Sequence, residues 1–178
     1  MPDKLGMSDF SDFCKRMSDL STGSKAKTDT HFMQYALIEA NQSRIRNEVP
    51  VGAILVQDQK IIASAHNKTI SLNDPTAHAE ILAIREAGKK LNNYRLTGLT
   101  LYVTLEPCIM CIGALIHARI QRIVYGAKDF KWGGCGSLYQ LNNDPRLNHS
   151  IQVIGGICEN ECRHLLQSFF QQKRKNNG

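Results

Sequence analysis

The residues of this chain that are best suited to chemistry lie in two short groups, thirty positions apart. His78 stands two residues before Glu80 in the first group, and Cys108 and Cys111 stand three apart in the second. One imidazole and two thiols suit zinc, and three protein ligands leave the fourth position of a tetrahedral ion open for water. Glu80 is close enough to the imidazole to reach that water without being a ligand. The spacing predicts a catalytic zinc site, with His78, Cys108 and Cys111 as ligands and Glu80 as the catalytic residue that moves protons.

Each of these two groups is predicted to lie at the start of a helix. Pro107 directly precedes Cys108, and proline is tolerated at a helix entry but not in a helix interior. The unpaired N–H groups and the positive dipole end of a helix N-terminus stabilise thiolates, the form in which cysteine binds metal. If both helix starts meet beyond the ends of sheet strands, where open α/β sheets bind ligands, the four side chains converge on one point.

The other cysteines leave alternatives. A C-x-x-C pair alone can be half of a zinc ribbon or a redox pair, but the chain has no second C-x-x-C, and the combination with H-x-E favours catalysis. Cys158 and Cys162 either belong to the core or form a second metal pair. No further ligand stands near them in sequence, so we expect core residues. Cys135 lies among glycines and is expected to be exposed.

The surrounding sequence predicts the elements that must position the site. A first helix, with Asp29 or Thr30 as its N-cap, precedes a two-stranded hairpin, after which helices and strands alternate up to a last helix that begins near Glu159. The five predicted strands cover residues 49–56, 61–65, 99–105, 122–126 and 151–154. This alternation predicts a layered α/β domain with helices on both faces of the sheet.

Several other positions are informative. Gly52 lies inside a predicted strand, where glycine indicates a close approach to the backbone, a bulge or simple packing. Trp132, the sole tryptophan, lies in a long glycine-rich segment and either stacks on a base or covers an edge of the core. The predicted buried face of the helix after Pro107 contains Ile109, Ile112, Leu115 and Ile116, and that of the last helix contains Cys162, Leu165, Leu166, Phe169 and Phe170.

Size and composition bound the class of protein. With 178 residues, 42% of them hydrophobic and 21% charged, the chain is expected to form one globular domain over residues 29–178. Residues 1–28 are expected to be a disordered N-terminal extension, a short helix over 9–20 being the alternative. The net charge of +6 favours an acidic partner such as nucleic acid. Neither a secretory signal nor a membrane span is evident, so we expect a cytoplasmic protein without a membrane partner.

The H-x-E and P-C-x-x-C motifs together resemble the signature of zinc-dependent nucleobase deaminases. From Phe32 to Arg174 the chain is similar to bacterial tRNA-specific adenosine deaminases, of the zinc-dependent cytidine and deoxycytidylate deaminase superfamily. The stretches that carry this resemblance are 48–53, 73–80, 93–96, 101–108, 136–138, 148–149 and 169–170. The resemblance does not extend to the N-terminal extension, and the chain departs from some members at Phe130 and Trp132.

The resemblance implies a three-layer α/β/α cytidine-deaminase-like fold with a five-stranded mixed sheet, and a homodimer with one zinc ion per subunit. It implies hydrolytic deamination of adenosine to inosine at the wobble position of arginine tRNA with an ACG anticodon, so that the partner is a tRNA anticodon loop. Asn67 would contact the flipped base, and the backbone of Ala79 would help to hold it. The residues implied to contact the anticodon loop are Asp129, Lys131, Phe169, Phe170 and Arg174.

The residues themselves support part of this implication. A flipped base needs a polar partner for its edge, and the amide of Asn67 can provide a bidentate contact. Basic side chains can meet phosphates, which predicts salt-sensitive binding, although those near the C-terminus can equally be a solvated helix end. These basic side chains are Lys128, Lys131, Lys173, Arg174 and Lys175.

Two other functions are compatible with the motifs. A deaminase of a free base or nucleoside, of the cytosine or guanine type, would use the same zinc site. A noncatalytic zinc-containing RNA-binding module would also need the three ligands. The basic last helix and the Asn-Tyr-Arg-Leu stretch at 93–96 favour the tRNA enzyme over the first alternative. Glu80 favours an enzyme over the second, because a structural zinc site has no need of a carboxylate beside an open position.

Overall fold

The computed structural model of the protein describes residues 28–176. The helices in this range are α1 Asp29–Ile45, α2 Ala79–Leu91, α3 Ile109–His117 and α4 Glu159–Asn176, and none of them is long and apolar enough to cross a membrane. The strands are β1 Gly52–Gln57, β2 Lys60–His66, β3 Thr100–Leu105, β4 Arg122–Ala127 and β5 Gln152–Gly155, with a 3-10 turn at Leu141–Asn143. The predicted N-terminal extension, residues 1–28, lies outside the described residues apart from Thr28, so its disorder and the alternative short helix stay predictions.

The five strands form one mixed sheet in the order β2-β1-β3-β4-β5. β1 runs antiparallel to β2 and β3, whereas β3, β4 and β5 are parallel. The β1–β2 hairpin turns at Asp58 and Gln59, whose φ angles of 47° and 64° are both positive, as a type I′ hairpin turn requires. The predicted α/β class and mixed five-stranded sheet are confirmed, although β1 begins at Gly52 rather than at residue 49.

Helices cover both faces of the sheet because alternate strand residues point to opposite sides. Ile54 and Val124 pack with residues of α1 and α4 in one buried cluster. Leu55 and Ile123, the neighbouring residues on the same strands, pack with residues of α2 and α3 in a second cluster. The sheet is therefore the middle of three layers, as predicted.

A carboxylate in the first turn of α1 ties this helix to the sheet. The N-cap of α1 is Thr28, whose hydroxyl accepts a backbone N–H of the first turn at 3.3 Å, rather than the predicted Asp29 or Thr30. Asp29 instead accepts two hydrogen bonds from the Arg122 guanidinium at the start of β4, at 2.9 and 2.6 Å. The Tyr102 hydroxyl on β3 donates to the same carboxylate at 2.9 Å. The Arg122 hydrogen bonds hold the pKa of Asp29 below its usual range.

Gly52 allows α1 to approach the start of β1 closely. A Cβ atom at this position would overlap the carbonyl oxygen of Ala36 and the backbone nitrogen of Ala40, both on α1. Of the three explanations that the sequence allowed, close approach is therefore correct, and the approaching group is a helix backbone. The Gly52 N–H also donates to Thr104 Oγ1 at 3.2 Å, which joins β1 to β3.

Replacing Gly52 by alanine is expected to lower the free energy of unfolding by about 3 kcal/mol, because the added methyl group meets helix backbone that cannot move independently. Urea denaturation of the wild type and the variant measures the difference. Gly113→Ala in α3 is the matched control, since a Cβ there meets nothing within 4 Å and alanine favours a helix. Equal stability of Gly52→Ala and wild type would contradict the close packing of α1.

Asp29→Asn is expected to destabilise the fold by about 1 kcal/mol at neutral pH, since it removes a partly exposed ion pair that also carries hydrogen bonds. A carboxyl with a lowered folded-state pKa stabilises the protein above its unfolded pKa, about 3.9 for Asp, and this stabilisation is lost as the pH falls through the folded pKa. The difference between variant and wild type should therefore shrink below about pH 4. Urea titrations at several pH values test this expectation, and a pH-independent difference would contradict it.

Candidate active site

The predicted zinc ligands and Glu80 gather at one edge of the sheet. β3 ends at Leu105, which pairs with Ala127 at the end of the parallel strand β4, so the segments that follow both strands leave from the same edge. The antiparallel hairpin contributes the start of β1 and the end of β2, where Gly52 pairs with His66. Open α/β sheets bind ligands beyond such strand ends.

The structure brings His78, Cys108 and Cys111 together. His78 Nδ1 is 3.7 Å from Cys108 Sγ and 3.6 Å from Cys111 Sγ, and the three ligand atoms lie within 4.8 Å of one another. His78 and Cys108 are the N-cap residues of α2 and α3, but neither side chain makes a capping hydrogen bond. Both side chains therefore point to the site instead of to their own helices. Cys111 reaches it from the first turn of α3.

The donor set fits a zinc ion. Tetrahedral bonds of about 2.0–2.1 Å to nitrogen and about 2.3 Å to sulfur place the donors about 3.6 Å apart, close to the separations of His78 from the two sulfurs. The hydrogen bonds with Cys111 and then His78 lower the pKa of Cys108 to about 4, whereas sharing that hydrogen bond raises the pKa of Cys111. The hydrogen bond between His78 and Cys108 raises the pKa of the His78 imidazole. A divalent cation would bind the two sulfurs as thiolates and displace their protons.

Glu80 lies buried in the first turn of α2, beside this cluster. Its burial raises the pKa of the carboxyl to about 7. A carboxyl with this pKa can both accept and release a proton near neutral pH, which general acid–base catalysis requires. Glu80 therefore lies beside the predicted metal ligands, and its catalytic role stays a prediction.

A cavity of about 680 Å³ opens beside the cluster. The polar residues that line it are His78, Glu80, Cys108, Asn67, Thr69, Glu106 and Asp129. The other lining residues are Val49, Val51, Pro75, Leu105, Ile109, Met110 and Trp132. A largely apolar cavity with a few convergent polar groups is the usual form of a site for a small molecule or a base.

Asn67, directly after β2, is buried and held by its neighbours. Its Oδ1 accepts the Ala79 N–H at 2.8 Å, and its own N–H donates to the Val51 carbonyl at 3.1 Å. One lone pair of Oδ1 is thus engaged by Ala79, and the bidentate contact of the Asn67 amide with a base stays a prediction.

Sequence reasoning missed Glu106, a buried carboxylate in the segment between β3 and α3. It accepts the backbone N–H of Asp129 at 3.2 Å and those of Cys135 and Ser137, each at 3.0 Å. The Ser137 hydroxyl donates to it as well. Glu106 therefore fixes the loop after β4 (residues 128–140) beside the predicted metal ligands. A charged residue at the end of an apolar strand was the signal that could have found it.

Glu48 likewise fixes the loop between β2 and α2, and this loop leads to His78. This fully buried carboxylate accepts the N–H groups of Ile70 at 3.0 Å and Ser71 at 2.7 Å, and the Thr69 hydroxyl at 3.2 Å. It too was missed, although an acid directly before the apolar run of β1 is the same kind of signal.

The loop after β4 brings Asp129 to the cavity and leaves Lys131 exposed. Asp129 Oδ1 accepts the backbone N–H groups of Lys131 at 2.9 Å and Trp132 at 3.2 Å. Trp132 is 63% exposed, so it does not cover an edge of the core. The predicted exposure of Cys135 was wrong: this residue is only 8% exposed, because its N–H is drawn inward to Glu106.

The predicted RNA contacts on α4 are not part of the cavity lining. Phe169 is buried as predicted. The prediction that Phe170 lies on the same buried face was wrong: it is 46% exposed, because neighbouring helical residues point about 100° apart. Arg174 is exposed, and its Nε donates to the Phe170 carbonyl at 3.3 Å. Ile109 on α3, also predicted to be buried, lines the open cavity instead and is partly exposed.

Cys162 is buried against Gly126, which confirms it as a core residue. Cys158 is partly buried, and its sulfur accepts a hydrogen bond from Gln34 Nε2 at 3.6 Å. Over residues 28–176, the cluster described above is the one group of three or more His, Cys, Asp or Glu side chains close enough to hold a metal ion.

A three-layer α/β/α fold with one imidazole, two thiols and a buried glutamate at a shared cavity defines the class of zinc-dependent hydrolytic deaminases. A sequence model of the cytidine and deoxycytidylate deaminase zinc-binding region matches residues 26–127 of the chain. This match covers the hairpin, both helix starts and β3.

Individual relatives agree. The tRNA-specific adenosine deaminase of Haemophilus influenzae is 46% identical over 152 residues, which cover 85% of this chain and 88% of the relative. A structure from a study of A-to-I editing by tRNA:A34 deaminases at the wobble position of transfer RNA superposes with a TM-score of 0.75 at 48% identity, covering 77% of this chain and 99% of that one. A guanine deaminase from Bacillus subtilis matches less of the chain, 57%, with a TM-score of 0.54 at 39% identity and 66% of its own chain covered. The chain belongs to the cytidine and deoxycytidylate deaminase family and, within it, to the tRNA-specific adenosine deaminases.

Glu106→Gln is expected to loosen the loop after β4, because an amide NH₂ would replace one accepting oxygen and face a donor. Leaving a buried N–H without an acceptor costs about 1–3 kcal/mol, so the midpoint of urea denaturation should fall. The zinc content should stay at one ion per chain, since the three ligands are untouched.

Ser137→Ala is the matched control for this variant, because it removes only the hydroxyl donor and leaves the three backbone donors in place. Its effect should be clearly smaller. If Glu106→Gln were as stable as the wild type, the carboxylate would not be what holds the loop.

Proposed function

We propose that this protein converts adenosine to inosine at the wobble position of tRNA, and that its substrate is an arginine tRNA with an ACG anticodon. The observation that carries the proposal is the meeting of His78, Cys108, Cys111 and buried Glu80 at one cavity. The identity with tRNA-specific adenosine deaminases supports the choice of substrate, and one neighbouring structure comes from work on the wobble position. The arginine tRNA and the ACG anticodon come from family resemblance.

In the proposed site, His78, Cys108 and Cys111 hold a zinc ion. When bound, zinc lowers the pKa of coordinated water from 15.7 toward about 7 and so supplies a nucleophile at neutral pH. Glu80 would take up one proton from the attacking water and deliver it to a ring nitrogen of adenine, where it stays in the product. It would then carry the second proton, from the hydroxyl formed on the attacked ring carbon, to the departing amine. The C–O bond forms first, as the ring nitrogen is protonated, and the C–N bond breaks afterwards, as the amine is protonated; the net reaction consumes one water and releases one ammonia. The pKa of Glu80 near 7 allows its carboxyl to serve in both directions.

Asn67 and the start of α2 orient the base. The hydrogen bond from the Ala79 N–H to Asn67 Oδ1 fixes the amide, and its Nδ2 then donates to an acceptor on the edge of the flipped base. Apolar residues of the cavity, such as Val49 and Val51, exclude water from the faces of the ring. Thus the base is selected by one fixed donor inside a largely apolar space.

Exposed residues outside the cavity are proposed to contact the anticodon loop. Lys131 lies on the loop after β4, next to Asp129 and the cavity, and its charge can meet a phosphate. Arg174 is exposed on α4 and its charge can also meet a phosphate, whereas the exposed ring of Phe170 can stack on a base and Phe169 supports both from within the core. A homodimer with one zinc ion per subunit and a cytoplasmic location belong to the same proposal, since they follow from the family and from the location of tRNA.

A deaminase of a free base or nucleoside, of the cytosine or guanine type, would turn over the free compounds in preference to an RNA stem-loop, and parallel assays measure this preference. A synthetic anticodon stem-loop with the ACG anticodon is incubated with the zinc-loaded protein, and inosine is measured by mass spectrometry. Free adenosine, guanine and cytosine are assayed in parallel. We expect conversion of the wobble adenosine with little turnover of the free compounds, and the reverse preference would overturn the proposal.

Replacing Glu80 separates catalysis from metal binding. Glu80→Ala is expected to lose a factor of about 10²–10⁴ in kcat, since it removes the proton carrier. Glu80→Asp should be nearly inactive too, because its shorter side chain cannot serve all three proton positions. Both variants should keep their zinc and their affinity for the stem-loop. Near-normal turnover by Glu80→Asp would contradict the role of Glu80, and RNA binding without turnover by the wild type would support the noncatalytic module.

A further inference from the structure

Trp132 has a placement that the reaction described above does not explain. It is the sole tryptophan of the chain, it is 63% exposed, and it lines the same cavity as His78 and Glu80. Within residues 28–176 its indole makes no ring-stacking or cation–π contact. The fold therefore gains little from a large apolar side chain at this position.

The backbone that carries the indole is nevertheless firmly held. Asp129 Oδ1 accepts the Trp132 N–H at 3.2 Å, and Gly133, the next residue, forms a backbone bridge with Cys108. The Gly133 N–H donates to the Asp129 carbonyl at 3.0 Å, and Glu106 anchors Asp129 in turn. The indole thus stands on a rigid loop, one residue from a backbone contact with a predicted zinc ligand.

A deaminase that acts on a base within RNA must take that base out of its stack. The neighbouring bases then lose one stacking partner each, at a cost of a few kcal/mol, and expose an apolar face near the mouth of the cavity. An aromatic side chain at the mouth can replace the lost partner, because stacking between a base and an aromatic ring stabilises binding whatever the base. Exposed Lys131, which is the preceding residue, can meet the phosphate of the same nucleotide.

We propose that Trp132 forms a stacking subsite for the base of a nucleotide next to the flipped adenosine. The subsite takes a nucleobase of the RNA strand, and it acts on binding of the RNA rather than on the chemical step. This inference rests on the proposed function, since it requires an RNA substrate with one base turned into the cavity.

The kinetic test uses the ACG stem-loop and the zinc-loaded protein. Trp132→Ala should raise KM about 5- to 150-fold, the range that loss of one base–aromatic stack produces, and leave kcat nearly unchanged. Trp132→Phe should restore most of the affinity. Phe130→Ala is the matched control, because Phe130 lies on the same loop and is 74% exposed but does not line the cavity.

A second measurement identifies the partner of the indole. Since Trp132 is the sole tryptophan, its fluorescence reports on this position alone, and binding of the stem-loop to the inactive Glu80→Ala variant should quench it. Stem-loops with an abasic site on either side of the target adenosine complete a double-mutant cycle. When the abasic site removes the base that stacks on the indole, Trp132→Ala should no longer affect KM.

Unchanged KM for Trp132→Ala, together with unquenched fluorescence, would overturn the subsite. So would a rise in KM that is accompanied by a change of oligomeric state in sedimentation, because the indole would then contact a second subunit. If the wild type produced no inosine from any stem-loop, the proposed function would fail. Inosine formation with normal KM for the variant would sink only the stacking inference.

Discussion

The buried carboxylate of Glu106 joins the two segments on which the site depends. It accepts hydrogen bonds from three residues of the loop after β4 and stands two residues before Cys108. A buried carboxylate without donors would be strongly destabilising, so the loop has no low-energy alternative to wrapping around it. The glycines follow from this constraint. A Cβ at Gly133 would lie 2.6 Å from Glu106 Cδ, and one at Gly134 would lie 2.7 Å from Ile112 Cγ2. The glycine-rich stretch is thus a closely packed turn.

The two helix starts supply the site at some cost to the helices. His78 and Cys108 occupy N-cap positions without capping, and a capping side chain contributes about 1 kcal/mol. The N-terminus of each helix carries a partial charge of about +0.5. This charge favours the Cys108 thiolate and the Glu80 carboxylate, but without anionic ligands it would repel a cation. Two thiolates outweigh these partial charges, so the anionic ligands make the place suitable for a dication. The site therefore depends on both cysteines being deprotonated together, which the metal itself promotes.

The elements and the ligand set could be predicted from sequence because both depend on local spacing. Short continuous runs of apolar residues define the buried strands, and the H-x-E and C-x-x-C spacings define a metal site. The remaining contacts depend on register between distant segments. Glu106 meets partners 23 to 31 residues further along, and these contacts decide that Cys135 is buried. No periodicity within the loop contains that information. For the same reason, the hydrogen bond between Asn67 Oδ1 and the first turn of α2 could not be foreseen.

The residues that line the cavity differ in exposure, from buried at one end to exposed at the other, and this difference indicates which kind of substrate fits. Glu80 lies at the buried end and Trp132 at the exposed rim, and the exposed Lys131 precedes Trp132 in the chain. A free base has few atoms and gains its affinity from enclosure, so an aromatic and a basic group at an open rim contribute little to binding it. A base that belongs to an RNA strand brings a phosphate and stacked neighbours, and these must remain outside the pocket when the base enters. The rim then meets the strand while the buried end meets the base. A cavity with a buried carboxylate at one end and an exposed indole at the other is therefore better matched to a nucleotide within a chain than to a free purine.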